Sequence, residues 1–267
     1  MTPTADGGLL AQVRDIARAA GAAIMDIYAS DFAVELKEDR SPLTAADKAA
    51  HELIVAALTA LPVRLPVLSE ESKAQGFSER RRWESYWLVD PLDGTKEFVK
   101  RNGEFTVNIA LVEWQRATLG VVVAPALALE YAGIVGQGAW RRRVGGADEP
   151  IAVQQPAHAT LRIVGSRSHA NPDLTAYVDA LGPHVLKPMG SSLKICLVAE
   201  GQADIYPRLG PTSEWDTAAA QAILESAGGS MITVGGQPLQ YNSKEDLLNP
   251  HFLAFGDATR DWLAPLR

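Results

Sequence analysis

Cysteine is nearly absent: of 267 residues only Cys196 carries a thiol. No internal disulfide can form, and the composition fits a reducing compartment. The neighbours of that thiol, Lys194-Ile195-Cys196-Leu197-Val198, are mostly apolar and assign it to the core rather than to nucleophilic chemistry. Histidine is scarce and scattered: His51, His158, His169, His184 and His251 show no ligand-type pair spacing, which argues against a zinc site. Basic residues are outnumbered, 25 Lys and Arg against 32 Asp and Glu, for a formal net charge of −7. Neutralising a nucleic-acid backbone needs a basic face, so no nucleic-acid polymer is expected as a partner. Two short basic runs, Arg80-Arg81-Arg82 and Arg141-Arg142-Arg143, are expected in solvated loops. No uninterrupted apolar run is long enough to span a bilayer, and no basic region followed by a continuous apolar stretch marks a signal peptide. The expected location is the cytoplasm, with a peripheral contact at the inner membrane left open, and with monomer and homodimer both compatible.

What is present is a hydrophobic content of 47%, enough to bury one large core or two modest ones. Leu9, Val13, Ile16, Ala20, Ile24 and Ile27 recur at helical spacing, and a second helix is predicted from Ala45 to Leu61, with Thr44 as N-cap and Ala46, Ala50, Leu53, Ile54 and Leu58 on one side. A strand at Leu65–Leu68, one at Tyr86–Val89 and a strictly alternating, half-buried one at Phe105–Leu111 follow, continued as a meander through Leu119–Ala124 and Leu129–Val135. Short turns between successive strands imply an antiparallel sheet. The second half alternates strand and helix: strands at 161–164, 203–206, 231–234 and 252–255, and helices near 172–181, 191–200 and 217–227. The predicted fold class is α/β, in the sense of an α+β layered sandwich, with an antiparallel first half (1–155) and an alternating α/β second half (156–267).

The chemistry concentrates in acidic positions: Glu70-Glu71, Asp90-Pro91-Leu92-Asp93-Gly94-Thr95 at the end of an apolar strand, and Trp215-Asp216. Carboxylates about 4 Å apart repel by roughly 4 kcal/mol per pair at an effective dielectric of 20, so a cluster of them requires cations. Mg²⁺ suits oxygen-only donors and accepts phosphate oxygens as further ligands. Pro91 is expected to break the strand so that Asp90 and Asp93 turn towards one point, leaving the Leu92 carbonyl to coordinate. Gly94 permits a positive φ, and Thr95 opens a short helix whose free N–H groups and hydroxyl can meet a phosphate. Taken singly, each has an ordinary alternative: an Asp-Gly turn, a helix cap at Asp216, a solvated Glu pair, and Asp47 as a first-turn residue favoured by the helix dipole. Their co-occurrence favours the cation site.

These residues together, Glu70-Glu71-Ser72, Asp90 to Thr95 and Trp215-Asp216-Thr217-Ala218-Ala219, resemble the signature of the lithium-sensitive, magnesium-dependent phosphatase superfamily that includes inositol monophosphatases. Thr95 to Asn108 and Gly190-Ser191-Ser192-Leu193-Lys194 are similar to its bacterial 3′(2′),5′-bisphosphate nucleotidase branch, which serves sulfate assimilation. The resemblance implies a sugar-phosphatase-like fold and one Mg²⁺ held by Glu70, Asp90 and the Leu92 carbonyl. A second would be held by Asp90, Asp93 and Asp216, and a third, weaker one would lie near Glu70 and Asp47. It implies that Thr95, supported by Asp47, orients and deprotonates a water, with Glu70 also in the catalytic set. The phosphate would meet Leu92, Asp93, Gly94, Thr95 and Asp216, while His169, Ser191, Lys194 and Arg208 grip the rest of a phosphorylated nucleotide. The expected substrate is adenosine 3′,5′-bisphosphate, with 3′-phosphoadenylyl sulfate as a second. An inositol or sugar monophosphatase is the nearest alternative, and a silent nucleotide sensor a remote one.

Overall fold

In this computed structural model the described residues are 5–29, 34–36, 42–72, 75–165 and 172–267. The elements run α1 (Gly7–Tyr28), β1 (Val34–Leu36), β2 (Pro42–Thr44), α2 (Ala45–Ala60), β3 (Val67–Ser69), α3 (Phe77–Arg80), β4 (Ser85–Asp93), α4 (Thr95–Val99), β5 (Thr106–Glu113), β6 (Arg116–Ala124), β7 (Leu129–Ile134), β8 (Gly138–Arg143) and β9 (Glu149–Ile151). They continue with β10 (Leu161–Gly165), α5 (Pro172–Ala180), β11 (His184–Pro188), α6 (Leu193–Ala199), β12 (Ile205–Arg208), α7 (Ala218–Ser226), β13 (Ser230–Thr233) and β14 (Phe252–Phe255). The side chain of Thr44, the expected cap of α2, lies outside the described residues.

Strands β3 to β9 form one sheet in chain order, antiparallel throughout except for the parallel pair β3–β4. The second sheet has the order β11-β10-β12-β14-β13 and mixes parallel and antiparallel pairs. Strand periodicity explains how the first sheet is covered. Trp87 and Val89 of β4, with Val107, Ile109 and Leu111 of β5, face α1 and α2. Their neighbours Tyr86, Leu88, Ala110 and Val112 face α6 and α7 on the other side. The far side of those two helices meets Tyr206, Met231, Phe252 and Ala254 of the second sheet. Tyr177 and Val178 of α5 close the opposite face over Leu161, Ile163, Ile205 and Leu253. The result is a helix–sheet–helix–sheet–helix stack.

Three expectations change. β5 is buried on both faces, not half-buried, because helices cover each side of the sheet. Arg141 and Arg142 sit in strand β8 and pair with Glu149, Glu200 and Asp148, so that run is not a solvated loop. Arg80 is 2% exposed, with its guanidinium on backbone carbonyls and Asn242.

The close approach of α7 depends on two glycines paired in register, Gly120 of β6 and Gly133 of β7. A Cβ at Gly120 would lie 2.0 Å from the Ala219 carbonyl oxygen, and one at Gly133 would lie 3.0 Å from Ile223 Cα. The alanine-rich start of α7 therefore rests on bare sheet backbone, which fixes the segment carrying Asp216 just before it. Gly120→Ala should lower stability by about 3 kcal/mol through overpacking, read as a lower midpoint in urea. Gly133→Ala should cost less.

Candidate active site

Parallel pairing of β3 and β4 brings their C-terminal ends together. The Glu70 amide donates to the Val89 carbonyl at 3.1 Å, so Glu70 follows β3 at the level where Asp90 ends the apolar part of β4. Pro91 does not end the strand as expected: β4 runs to Asp93, and the three steps from Asp90 to Asp93 oppose only two on β5, from Asn108 to Thr106. Side chains alternate along a regular strand, so an odd separation would put the two aspartates on opposite faces. The extra residue resets that phase. The Leu92 amide then donates to Asp90 Oδ1 at 3.0 Å, and Gly94, at φ 91°, turns the chain into α4. A Cβ there would also crowd the Glu104 carbonyl at 3.2 Å. Thr95, the first residue of α4, has its hydroxyl 3.5 Å from the Leu92 carbonyl.

Asp216 arrives from the other half of the chain, in a short turn closed by a reciprocal box: Ser213 N–H donates to Asp216 Oδ2 at 2.9 Å, and the Ser213 side chain accepts from the Asp216 N–H, which also reaches the Ser213 carbonyl at 3.2 Å. Carboxylate oxygens of Asp90, Asp93 and Asp216 lie within 4.8 Å of one another. Burial first, and then the negative charges of Glu70, Asp93, Asp216 and Asp47, push the Asp90 carboxyl well above its ordinary range. Asp216 is pushed up to about 8 by burial and then by Asp93. Glu70 and the fully buried Asp47 lie outside the close triad, yet near enough for their charge to bear on Asp90. Oxygen donors without His or Cys, held close against their own repulsion, fit a hard divalent cation.

Residues that sequence reasoning passed over hold this triad. Ser192 Oγ is 2.8 Å from Asp93 Oδ2 and 2.6 Å from the Asp216 carbonyl, and it accepts a 2.8 Å bond from Asn108 Nδ2. Asn108 also reaches Asp93 Oδ2 at 3.5 Å. The signal was available: Asn108 is a polar residue in the middle of an apolar strand, here fully buried. Glu104 Oε2 accepts the Gly190 amide at 2.8 Å and docks the 190–192 turn against α4.

A cleft opens from the triad, lined by Asp93, Gly94, Ser191, Lys194, Arg208 and Asp216, with Tyr206 in its wall. Lys194 Nζ donates to the Ser191 carbonyl at 2.6 Å and stands 5.6 Å from the centre of the Tyr206 ring. Burial lowers the Lys194 pKa, while the charge of Asp93 opposes that shift. Arg208 donates from Nε to the Gly210 carbonyl at 3.2 Å and from its terminal nitrogen to the Pro211 carbonyl. Ser191, at φ 46°, sits in the turn before α6. His169 lies outside the described residues. The structure thus brings three of the four predicted metal carboxylates, Asp90, Asp93 and Asp216, together, and two of these, Asp93 and Asp216, line one cleft with Lys194 and Arg208.

This layered fold, with acids from the end of β4 and from a turn in the second half of the chain meeting at one point, is that of a metal-dependent family: residues 9–261 match the inositol monophosphatase family, and the chain belongs to it. Among individual relatives, the 3′(2′),5′-bisphosphate nucleotidase CysQ of Escherichia coli O157:H7 is 50% identical over 246 residues, covering 91% of this chain and 98% of that protein. The crystal structure of CysQ from Bacteroides thetaiotaomicron, a bacterial member of the family, superposes with a TM-score of 0.83 at 42% identity, covering 95% of this chain and 98% of that one. Inositol monophosphatase from Anabaena (Nostoc) sp. PCC 7120 superposes with a TM-score of 0.75 at 25% identity, covering 97% and 95%. No helix among the described residues is long and apolar enough to cross a membrane.

Proposed function

We propose that the chain is a Mg²⁺-dependent 3′(2′),5′-bisphosphate nucleotidase that hydrolyses the 3′-phosphate of adenosine 3′,5′-bisphosphate to AMP and phosphate, and acts likewise on 3′-phosphoadenylyl sulfate. The observation that carries the reading is a carboxylate triad whose Asp93 and Asp216 line a cleft shared with the cationic side chains Lys194 and Arg208. A substrate with two phosphates uses both: one phosphate meets the triad, the other a remote cationic grip. The identity to CysQ relatives over nearly the whole chain supports the same substrate.

In this reading Glu70, Asp90 and the Leu92 carbonyl would hold one Mg²⁺, Asp90, Asp93 and Asp216 a second, and residues near Glu70 and Asp47 a third. Bound there, the ions lower the pKa of water and neutralise charge on the attacked phosphate. The chain's own groups supply position and proton transfer. Thr95 Oγ1, at the N-terminal turn of α4, orients the attacking water, and the Asp47 carboxylate takes its proton through that hydroxyl. The free N–H groups of α4 face the phosphate oxygens at the turn after Gly94. Ser192 and Asn108 keep the Asp93 carboxylate aimed at the site. Water's oxygen ends on phosphorus as the bond to the 3′-oxygen breaks, and that oxygen leaves as an alkoxide that takes its proton from solvent water.

A substrate panel tests the proposal. At fixed Mg²⁺, kcat/KM should be highest for adenosine 3′,5′-bisphosphate, with myo-inositol 1-phosphate and fructose 1,6-bisphosphate well below. A preference for inositol phosphate would make the chain an inositol monophosphatase using the same ions.

A further inference from the structure

Arg80 opens a basic run at the end of a short helix between β3 and β4, yet it is 2% exposed and is not among the residues that line the cleft. Its guanidinium crosses from the first half of the chain to the second. It donates to the Asn242 side-chain carbonyl, to the Lys244 carbonyl at 3.1 Å and to the Glu245 carbonyl. Asn242 answers through Nδ2, which donates to the Arg80 carbonyl at 2.6 Å. The Asn242 amide then donates to Glu214 Oε2 at 2.7 Å. Glu214 is 1% exposed and stands two residues before Asp216, inside the Ser213–Asp216 box. The same loop grips the box twice more: Glu214 N–H donates to the Leu247 carbonyl at 2.8 Å, and Asn249 Nδ2 donates to the Ser213 carbonyl at 2.7 Å.

We infer that Arg80, through Asn242 and Glu214, is a positioning residue that sets where Asp216 stands relative to Asp90 and Asp93, and thereby sets the affinity for the divalent cation. This rests on the triad being the cation site. The argument is geometric. Asp90 and Asp93 are fixed in β4 by its sheet partners. Asp216 lies in an irregular turn, which needs a tether to the β4 side, and α3 lies in the connection between β3 and β4. The links from Arg80 to Asn242 and from Asn242 to Glu214 are buried hydrogen bonds from or to a charged or amide group, the kind that holds geometry most firmly. Groups that orient metal-binding side chains without touching the metal typically change affinity 10- to 100-fold when removed.

The test is calorimetric titration of Mg²⁺ into ion-free protein, below the melting temperature of every variant. Asn242→Gly cuts the side-chain link to Arg80 and leaves the backbone donor to Glu214; glycine suits the φ of 53° at that position. Arg80→Lys keeps the charge and loses the fork. The expected result is a Kd for Mg²⁺ raised about tenfold in Asn242→Gly, less in Arg80→Lys, and no further increase in the double variant, since both break one link. A lowered melting temperature with an unchanged Kd in Asn242→Gly would assign the cluster to folding alone and overturn the inference. Wild-type protein that binds no Mg²⁺ would instead overturn the cation reading of the triad.

Discussion

Asp93→Asn should yield a protein that turns over on the order of 10³-fold more slowly, yet is more stable than the wild type when no divalent ion is present. Activity falls because the replacement keeps volume and the bonds from Ser192 and Asn108 but turns one ligand oxygen into an amide nitrogen; losing one preorganised charge-stabilising group commonly costs about 10²–10³ in kcat. Ion-free stability rises because Asp93 is among the negative charges acting on both Asp90 and Asp216. A pair of charges 4 Å apart at an effective dielectric of 20 sets an upper bound of about 4 kcal/mol. Partial protonation of the triad should reduce the gain to about 1 kcal/mol.

The pH dependence has a definite sign. Asp216 in the ion-free fold titrates at about 8 against 3.8 for its ordinary value, so the folded protein binds this proton more tightly than the unfolded chain. Its contribution is present below pH 4 and is lost as pH rises through 8. Mg²⁺ needs the carboxylates ionised, so stabilisation by added Mg²⁺ should grow over the same interval in the wild type and be largely lost in Asp93→Asn. Thermal unfolding of both proteins between pH 5 and 9, with chelator and with Mg²⁺, checks each part. A metal-free Asp93→Asn protein less stable than the wild type at pH 9 would refute the repulsion account.

The triad was legible in the sequence because its acids sit in short contiguous words: Asp90 to Thr95 carries two of them, the turn and the helix start together, and Trp215-Asp216 precedes a helix. The strands and helices with clear periodicity, α1, α2, β6 and α7, were legible for the same reason. What was not legible depends on contacts far apart in the chain. Pro91 looks like a strand stop, and only the pairing with β5 reveals a bulge that brings two aspartates into phase. β8, β9 and β11 are short, exposed or charged, and they owe their existence to a neighbouring strand rather than to their own pattern. Arg80 reads as solvated because its partners are carbonyls and an amide some 160 residues away, and backbone acceptors leave no mark in side-chain sequence. Asn108 left a trace, a polar residue inside an apolar strand, but the partners that give Glu104, Asn108 and Ser192 their roles lie far off in the chain and leave none.

The second large effect concerns substrate discrimination. Arg208→Ala should raise KM for adenosine 3′,5′-bisphosphate about 10- to 100-fold with little change in kcat, and leave hydrolysis of adenosine 3′-monophosphate nearly untouched. One charge-assisted hydrogen bond contributes about 1.5–3 kcal/mol, which spans that range. The guanidinium is held before substrate arrives: Nε is bound to the Gly210 carbonyl and a terminal nitrogen to the Pro211 carbonyl, which leaves other donors of the fork for a phosphate. Little side-chain entropy then remains to be lost on binding. In the proposed reading Arg208 grips a phosphate that does not react, so its removal weakens ground state and transition state alike, and uniform binding appears in KM rather than in kcat. Arg208→Lys should fall between, since an ammonium restores charge without the fork. Lys194, over the Tyr206 ring, should behave similarly. Equal losses on the bisphosphate and the monophosphate would show that Arg208 supports the fold of the cleft instead of gripping a second phosphate.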